Sequence, residues 1–376
     1  GFVNVPLGDS AAIRLVGWSR SDAGYIDNVQ GTRTFPTSGI TMDNADRARS
    51  DYNYADTAGA RAALKVDLND VWSITPTLNY QRTHTNGIPA QDELLGQERA
   101  LTHYYPETSN DEWVQAALTI QGKIGNFDLT YAYSNLDRDI DSEADYNDYG
   151  FWYDTLLGYG AYFYDNDGEL VNPSQYIQAA DRFKKSSHEI RIASPTEDRF
   201  RFVAGFFWQD QEHKIQQRYR IDGLADDLSV TGWPNTIWLT QQVRDDQDQA
   251  FFGELSYDFT DKLTGTVGAR YFETDNSLAG FYGFSNGYSP SSGYGEASCG
   301  PESTWVPFNG APCTVFDKNV KEDGWLGRVN LAYHIDDTKM IYGTWSEGFR
   351  PGGINRRGTL DPYLSDFLTN MEFERK

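Results

Sequence analysis

One unit recurs along this chain: a strand, a tight polar turn, a second strand, then a long polar connection. It is clearest between Ala250 and Asp275. Leu255, Tyr257 and Phe259 alternate with Glu254, Ser256 and Asp258, and the chain turns at Thr260-Asp261-Lys262. Leu263, Gly265, Val267, Ala269 and Tyr271 then alternate with Thr264, Thr266, Gly268 and Arg270. Successive side chains of a strand point to opposite faces, so this period of two describes a strand with one apolar and one polar face.

The unit reappears throughout. Ala60, Ala62, Leu64, Val66 and Leu68 run to a turn at Asn69-Asp70 and return through Ile74, Leu78 and Tyr80. Val114, Ala116, Leu118 and Ile120 lead through Gly125-Asn126 to Phe127, Leu129, Tyr131 and Tyr133. Ile190 and Ile192 precede a turn at 195–198, and Phe200, Phe202, Ala204, Phe206 and Trp208 follow it. Trp325, Gly327, Val329, Leu331 and Tyr333 precede a turn at 335–338 and a strand opening at Met340. Near the start, Val3–Ser10 turns into Ala11–Arg20. About thirteen strands are expected by this count, the first and last incomplete.

The connections alternate in length. One kind is a few residues rich in Asp, Asn and Gly. The other covers about 26–57, 87–111, 139–184, 218–247, 278–321 and 351–368. Short turns on one rim and long loops on the other describe a transmembrane antiparallel β-barrel, with periplasmic turns and extracellular loops. A propeller would show a fixed blade period. A sandwich does not carry so many long loops on one side. No apolar run reaches the roughly 20 residues of a membrane helix. A transmembrane strand needs only about 9–11, every second one facing a polar lumen, so a mean hydropathy of -0.62 is compatible with a membrane. Trp72, Phe127, Phe200, Phe259 and Leu263 flank the short turns, and Trp18, Tyr80, Trp208, Tyr271 and Trp345 lie near the loop ends. Two such aromatic belts mark the two interfaces of a bilayer; the competing reading is core packing in a soluble β-rich carbohydrate-binding or structural protein.

Some phrases resemble a known family directly. Tyr342, Ser346, Gly348, Phe349, Arg350, Gly352, Gly353 and Asn355 sit in a strand that breaks at Gly-Phe-Arg-Pro-Gly-Gly. That phrase is similar to one where a barrel strand of TonB-dependent outer-membrane receptors runs out into an extracellular loop. Asn4–Leu15 with Gly24–Asn28, and Ser187–Ser194 with Phe202–Phe207, also resemble hairpins of that family. Asn370–Lys376 resembles the start of a following strand, with Glu374 where the family more often has Gly. The resemblance implies a barrel of about 22 strands with a plugged lumen. It implies that 1–376 is a partial barrel domain, both ends of the chain looking cut, with the plug and last strands outside it. The implied activity is outer-membrane transport rather than catalysis. The implied partners are the TonB-ExbB-ExbD energy-transducing complex, reached through the plug, outer-membrane lipid and a small nutrient ligand. By family frequency a ferric-siderophore is the default nutrient, and an oligosaccharide or other small nutrient is the alternative.

The remaining chemistry is sparse. The formal net charge of -23 argues against nucleic acid, and is a mild argument against an anionic ligand. Cys299 and Cys313 lack a CxxC or Cys/His cluster, so no zinc site is expected; they either close a loop as a disulfide or stay as free thiols. The histidines at 84, 103, 188, 213 and 334 show no HExxH or paired spacing. No metal or other cofactor is expected. Gly283–Gly287 matches the letters GxSxG without a following helix to form a nucleophile elbow. Asp165–Glu169 resembles part of a calcium loop but lacks its carboxylates at both ends.

The long loops carry the better candidates. Tyr104, Tyr105, Trp152, Tyr153, Tyr162, Trp233, Trp238, Tyr288 and Trp305 are placed there. Such rings either stack on sugar faces and flat chelates or pack the loops together over the barrel mouth. Arg14, Arg61, Arg191, Arg201, Arg270 and Arg328 occupy polar-face positions and are expected to face the lumen, either pairing with acids or steering an anionic ligand.

Overall fold

A computed structural model of the chain describes residues 1–354 and Arg356. The strands begin with β1 (Phe2–Pro6), β2 (Ala11–Asp22), the short β3 (Asp27–Asn28), β4 (Thr32–Thr34) and β5 (Thr41–Asp43), then β6 (Ala55–Asp67) and β7 (Ser73–Asn86). After a short β8 (Ala100–Leu101) come β9 (Thr108–Ile124), β10 (Phe127–Asp145), β11 (Tyr176–Ala193) and β12 (Phe200–Arg220). The series closes with β13 (Thr236–Asp258), β14 (Leu263–Phe284), β15 (Phe316–Asp336) and β16 (Lys339–Ser346). The long strands, with β1, form one 12-stranded sheet in which each strand pairs with the next along the chain. Of the expected thirteen strands, the last falls at 370–376 and lies outside the described residues, as does Asn355. The short strands pair within the loops, β3 with β8 and β4 with β5.

The short turns fall where expected and are built from local hydrogen bonding. At the β6–β7 turn, Asn69 Oδ1 accepts from the backbone N–H groups of Val71 and Trp72. Thr260 Oγ1 does the same for Lys262 and Leu263 between β13 and β14. The long loops differ from expectation. The expected 139–184 shrinks to the gap between Asp145 and Tyr176, and 218–247 to that between Arg220 and Thr236. The reason is that ladder hydrogen bonds need no apolar face: segments such as Asp137–Asp141 are polar yet stay paired on both sides.

Register lines the apolar positions up across the sheet. Phe206, Phe251, Tyr271 and Trp325 are successive partners from β12 to β15. Phe202, Leu255, Val267, Val329 and Trp345 form a second row. No protein layer covers this face: Phe251, Val267 and Trp325 are 64%, 52% and 70% exposed. Runs such as Phe251–Phe259 and Trp325–Ile335 have the length of the roughly 9–11-residue crossing of a tilted strand. On the same face the belt stops at Glu273 and Asp323, just past Tyr271 and Trp325. Apolar surface this continuous is far beyond what a soluble monomer exposes, and it fits a lipid-facing belt. Trp18 departs from the expected belt. It lies on the opposite face, where its ring occupies the space a Cβ on Gly59 would take.

Buried apolar clusters lie at the long-loop end of the sheet. The opposite face of the belt is polar and lumenal, and the two together position the loops over the mouth.

Candidate functional site

The loop between β10 and β11 carries the one α-helix among the described residues, α1 (Asn147–Leu157). Asp145 starts it: its Oδ1 accepts from the Asn147 N–H at 2.7 Å, while its Oδ2 takes the N–H groups of Tyr104 and Tyr105 at 2.6 and 2.9 Å. Gly158 ends it in the left-handed conformation, with φ of 66°. Buried Asn147, Gly150 and Asp154 form one stripe of the helix, which pins it to its neighbours. Asp154 accepts from the N–H and hydroxyl of Thr37 and from the Gly160 N–H. Arg33 pairs with Asp148 and lies over the rings of Tyr104 and Phe151.

This helix presents tyrosines to the lumen-side ends of β12, β13 and β14, and together they wall a pocket. Tyr146 stacks on Tyr149 with centroids 4.6 Å apart and meets Tyr219 edge-on at 5.1 Å. Tyr149 continues to Tyr153 at 4.6 Å, and Tyr153 to Tyr159 at 5.6 Å. Tyr159 reaches Tyr288, which meets Phe284 at 5.2 Å. Phe284 packs on Trp238 at 4.7 Å, and Trp238 is the strand partner of Tyr219, so the ring of aromatics closes. Ile237 and Gln175 complete a cavity of about 190 Å³. Burial and the neighbouring phenols hold the Tyr149 and Tyr159 hydroxyls in the neutral form, and burial pushes Tyr288 up to about 12.

The sequence-derived candidates divide. Trp238 lines this cavity, while Tyr153 and Tyr288 pack against lining rings. Tyr104 is buried beneath Arg33, and Tyr105 stacks on Tyr176 at 4.5 Å. Trp233 donates from Nε1 to the Gly310 carbonyl and Trp305 to that of Gly300, both beside the Cys299–Cys313 disulfide. That bridge closes a short loop, worth about 3 kcal/mol in the chain-entropy account. Trp152 and Tyr162 are exposed. Tyr146, Tyr159, Gln175, Tyr219 and Phe284 also build the site. Tyr146, Tyr159 and Phe284 stand in aromatic loop runs visible in the sequence, whereas Gln175 and Tyr219 carry no such signal.

On the lumenal face, Arg201 forms a bidentate pair with Asp258, Arg328 lies 3.3 Å from Glu254, and Arg191 lies 2.9 Å from Glu189. Arg270 sits 3.5 Å from Asp248 and over Phe207, and Arg14 covers Phe2. Arg61 shares that face by register, opposite Asn79. Sequence reading missed one lumenal stack: Asp111 holds Arg138, Phe183 lies between Arg138 and His213, and His213 contacts Asp181 at 2.7 Å.

The family phrase also has a definite course. Tyr342 and Ser346 are on the lumenal face of β16, opposite Ala332 and Arg328. Beyond Gly348 the chain folds back over β14 and β15 instead of leaving straight for the outer loop. Phe349 stacks on Phe272 at 3.9 Å, and the Gly352 N–H donates to Glu322 at 2.7 Å. Arg350 and Gly353 are exposed. The glycines let the backbone pass close to β15 where a side chain at Gly352 would press on the Glu322 carboxylate.

Two motifs find structural explanations. In Gly283–Gly287, the Ser285 hydroxyl is buried and donates to the Leu228 carbonyl at 2.8 Å. A Cβ at Gly283 would strike the backbone of Gly295, and one at Gly287 that of Asp227. The letters record close loop packing. In Asp165–Glu169, the Asp165 carboxylate accepts from the N–H groups of Asp167 and Glu169, closing a tight turn. Among the described residues, no group of three or more His, Cys, Asp or Glu is placed to hold a metal ion.

A buried polar knot ties the first two loops together. Asn44 and Asn28 bond to each other and to the His103 backbone. His103 Nδ1 lies 2.8 Å from Glu107, which also accepts from the Tyr52 hydroxyl at 2.8 Å. Burial lowers the His103 pKa, but Glu107, Asp145 and Asp148 outweigh it and the net shift is upward. A raised histidine pKa stabilises the fold fully below the unfolded value of about 6.5, and the gain is lost as pH rises through the folded value. Limited proteolysis of the 23–54 and 87–107 loops should therefore be slower at pH 6 than at pH 8. His103→Gln should remove the difference, and unchanged pH dependence in that variant would contradict the assignment.

The comparisons with known proteins agree with this architecture. The family model described as TonB dependent receptor-like, beta-barrel, matches residues 103–368. The ferric yersiniabactin uptake receptor FyuA from Yersinia pestis is 11% identical, with a TM-score of 0.62 over 91% of this chain and 43% of its own. The ferric citrate transporter FecA is 11% identical, with a TM-score of 0.54 over 92% of this chain and 42% of its own. The ferric-catecholate import receptor Fiu from E. coli K12 is 13% identical, with a TM-score of 0.50 over 92% and 47%. This chain thus spans less than half the length of these structures. No curated protein matches it. Barrels of this kind reside in the Gram-negative outer membrane, which identifies the solvent of the apolar belt as lipid. On the matched segment and the sheet it describes, the chain belongs to the TonB-dependent receptor family, within its β-barrel domain.

Proposed function

We propose that this barrel is part of a receptor that captures a scarce small nutrient outside the cell. Import would be driven from the inner membrane through TonB, with ExbB and ExbD, acting on a plug domain in the lumen. The observation that carries this reading is the aromatic-walled pocket at the lumen-side mouth of the sheet, a concave site with a few polar groups among rings. In this reading Arg14, Arg61, Arg191, Arg201, Arg270 and Arg328 serve the lumen through charge pairing, and Trp152 and Tyr162 offer exposed rings for first contact.

A ferric-siderophore as nutrient is supported by the names of FyuA, FecA and Fiu. An oligosaccharide or other small nutrient is favoured by a specific observation: among the described residues, no charged side chain lines the pocket. Cells lacking the gene, and cells lacking TonB, should lose uptake of the same nutrient. Uptake that persists without TonB would overturn the reading. Induction of the gene by one sugar and not by iron starvation would decide between the two nutrients.

A further inference from the structure

The lumenal face is polar except in one sector, on β12–β15. We infer that this sector is an apolar seat that anchors the plug, and that the passage for nutrient opens along the polar wall of β7, β9, β10 and β11; the inference rests on the receptor reading above. The signal lies in adjacent residue pairs. Phe202-Val203, Phe206-Phe207, Phe251-Phe252, Tyr271-Phe272 and Trp325-Leu326 each put one apolar side chain on each face of the sheet. Lipid covers the outer member of each pair. A strand that is apolar on both faces calls for cover on both.

The inner members form one patch. Phe207, Ala250, Phe272 and Gly324 are successive partners in one row, and Gly205, Phe252, Arg270 and Leu326 in the next. The Phe252 ring lies over Gly205 and the Phe272 ring over Gly324, which flattens the surface. Val203 is 38% exposed, and Phe207, Phe252 and Leu326 are half-buried. Val203, Phe252 and Leu326 line a hollow of about 250 Å³. At its rim Arg270 faces Asp248 and Arg328 faces Glu254, so each cation has its own acid and the patch suits an uncharged, apolar partner. The chain already seats one ring here: Phe349 stacks on Phe272, which is 5% exposed. The rest of the patch lies inside the lumen at the height of the belt, where lipid does not reach and a lumen-filling domain does.

The remaining wall differs. At belt height on β7, β9, β10 and β11 the lumenal positions, among them Thr77, Gln115, Thr119, Thr130, Ser134 and Ser187, carry nothing apolar larger than alanine. Polar contacts of a plug with this wall can be replaced by water at little net cost. Lifting the plug off the apolar patch forfeits burial instead. The two walls thus make a yielding side and a fixed side.

The test is photocrosslinking of the full-length receptor in cells, with benzoylphenylalanine in place of Val203 or of Thr119. Both positions should crosslink to the plug in cells lacking TonB. In cells with TonB, growing on rich medium as the source of mixed nutrients, the Thr119 crosslink should be lost while the Val203 crosslink persists. Val203→Asp, at an exposed position, should raise the fraction of open pores in planar bilayers about tenfold, the penalty for a carboxylate in an apolar contact. Thr119→Asp should leave that fraction unchanged. Three results would each overturn the inference: loss of both crosslinks together, a Val203 crosslink to 347–354 or to nothing while Thr119 meets the plug, or a Val203→Asp protein as closed as the parent. Absence of a plug crosslink at both positions is a separate result, which brings down the receptor reading itself.

Discussion

An arginine in place of Val267 is expected to cost the barrel about 2–4 kcal/mol, the penalty for a cation on the lipid face near the midplane. Val267 stands in the middle of the apolar run of β14, between Leu255 and Val329 in register. It is 52% exposed with no protein above it. If the surrounding medium were water, an exposed arginine here would change stability by no more than about 0.5 kcal/mol. Reversible denaturant unfolding of the full-length protein in lipid bilayers, read by tryptophan fluorescence, separates the two cases. The neighbouring Thr266 points to the lumenal face, where its hydroxyl meets Ser256 at 2.9 Å. Thr266→Arg should therefore cost clearly less than Val267→Arg. Equal costs would contradict the assignment of faces.

Gly283→Ala should open the mouth of the barrel while leaving the sheet intact. Gly283 has φ of 136°, a conformation that side chains rarely adopt, and a Cβ there would collide with the backbone of Gly295. The strain and displacement together amount to about 1–3 kcal/mol. They fall on the contact that holds the 285–315 loop to the end of β14, where Phe284 lines the pocket and Tyr288 packs against it. Protease cutting within 285–315 should increase at least fivefold. Gly343, with nothing within reach of a Cβ, provides the comparison: Gly343→Ala should leave the cutting unchanged. A Gly283→Ala protein that resists protease as well as the parent would mean that the loop is held by other contacts.

The two predictions draw on different levels of the molecule. Facing within a strand is local. Once Leu255, Tyr257 and Phe259 share one parity, their side is common to all, and pairing carries that parity to the next strand. The row from Phe202 to Trp345 is therefore legible in the alternation of residues alone. Trp18 is the exception, because its aromatic character suggests the belt while its parity places it on the lumenal side over Gly59. The ends of long strands are not legible. Beyond the membrane both faces meet water or loops, so alternation fades, yet backbone pairing continues through Asp137–Asp141.

The site shows the same division more sharply. The tyrosines of 146–164 stand out as a run, but nothing in the run tells which of them point inward. Trp152 and Tyr153 are adjacent, and one is exposed while the other packs against Tyr149 and Tyr159. The difference comes from the pitch of α1, which buries Asn147, Gly150 and Asp154 and puts Tyr149 and Tyr153 on one face, beside Tyr146 and Tyr159. Gln175 and Tyr219 become visible only when β11 and β12 bring them beside that helix. By itself, then, the sequence determined the barrel, its turns and its lipid-facing side, because these rest on a period of two repeated along neighbouring strands, while the family was legible in phrases such as Tyr342–Asn355. Only the tertiary structure decided the pocket, because its walls come from the β10–β11 connection and the ends of three strands, whose mutual contacts follow no period and depend on how that connection closes over them.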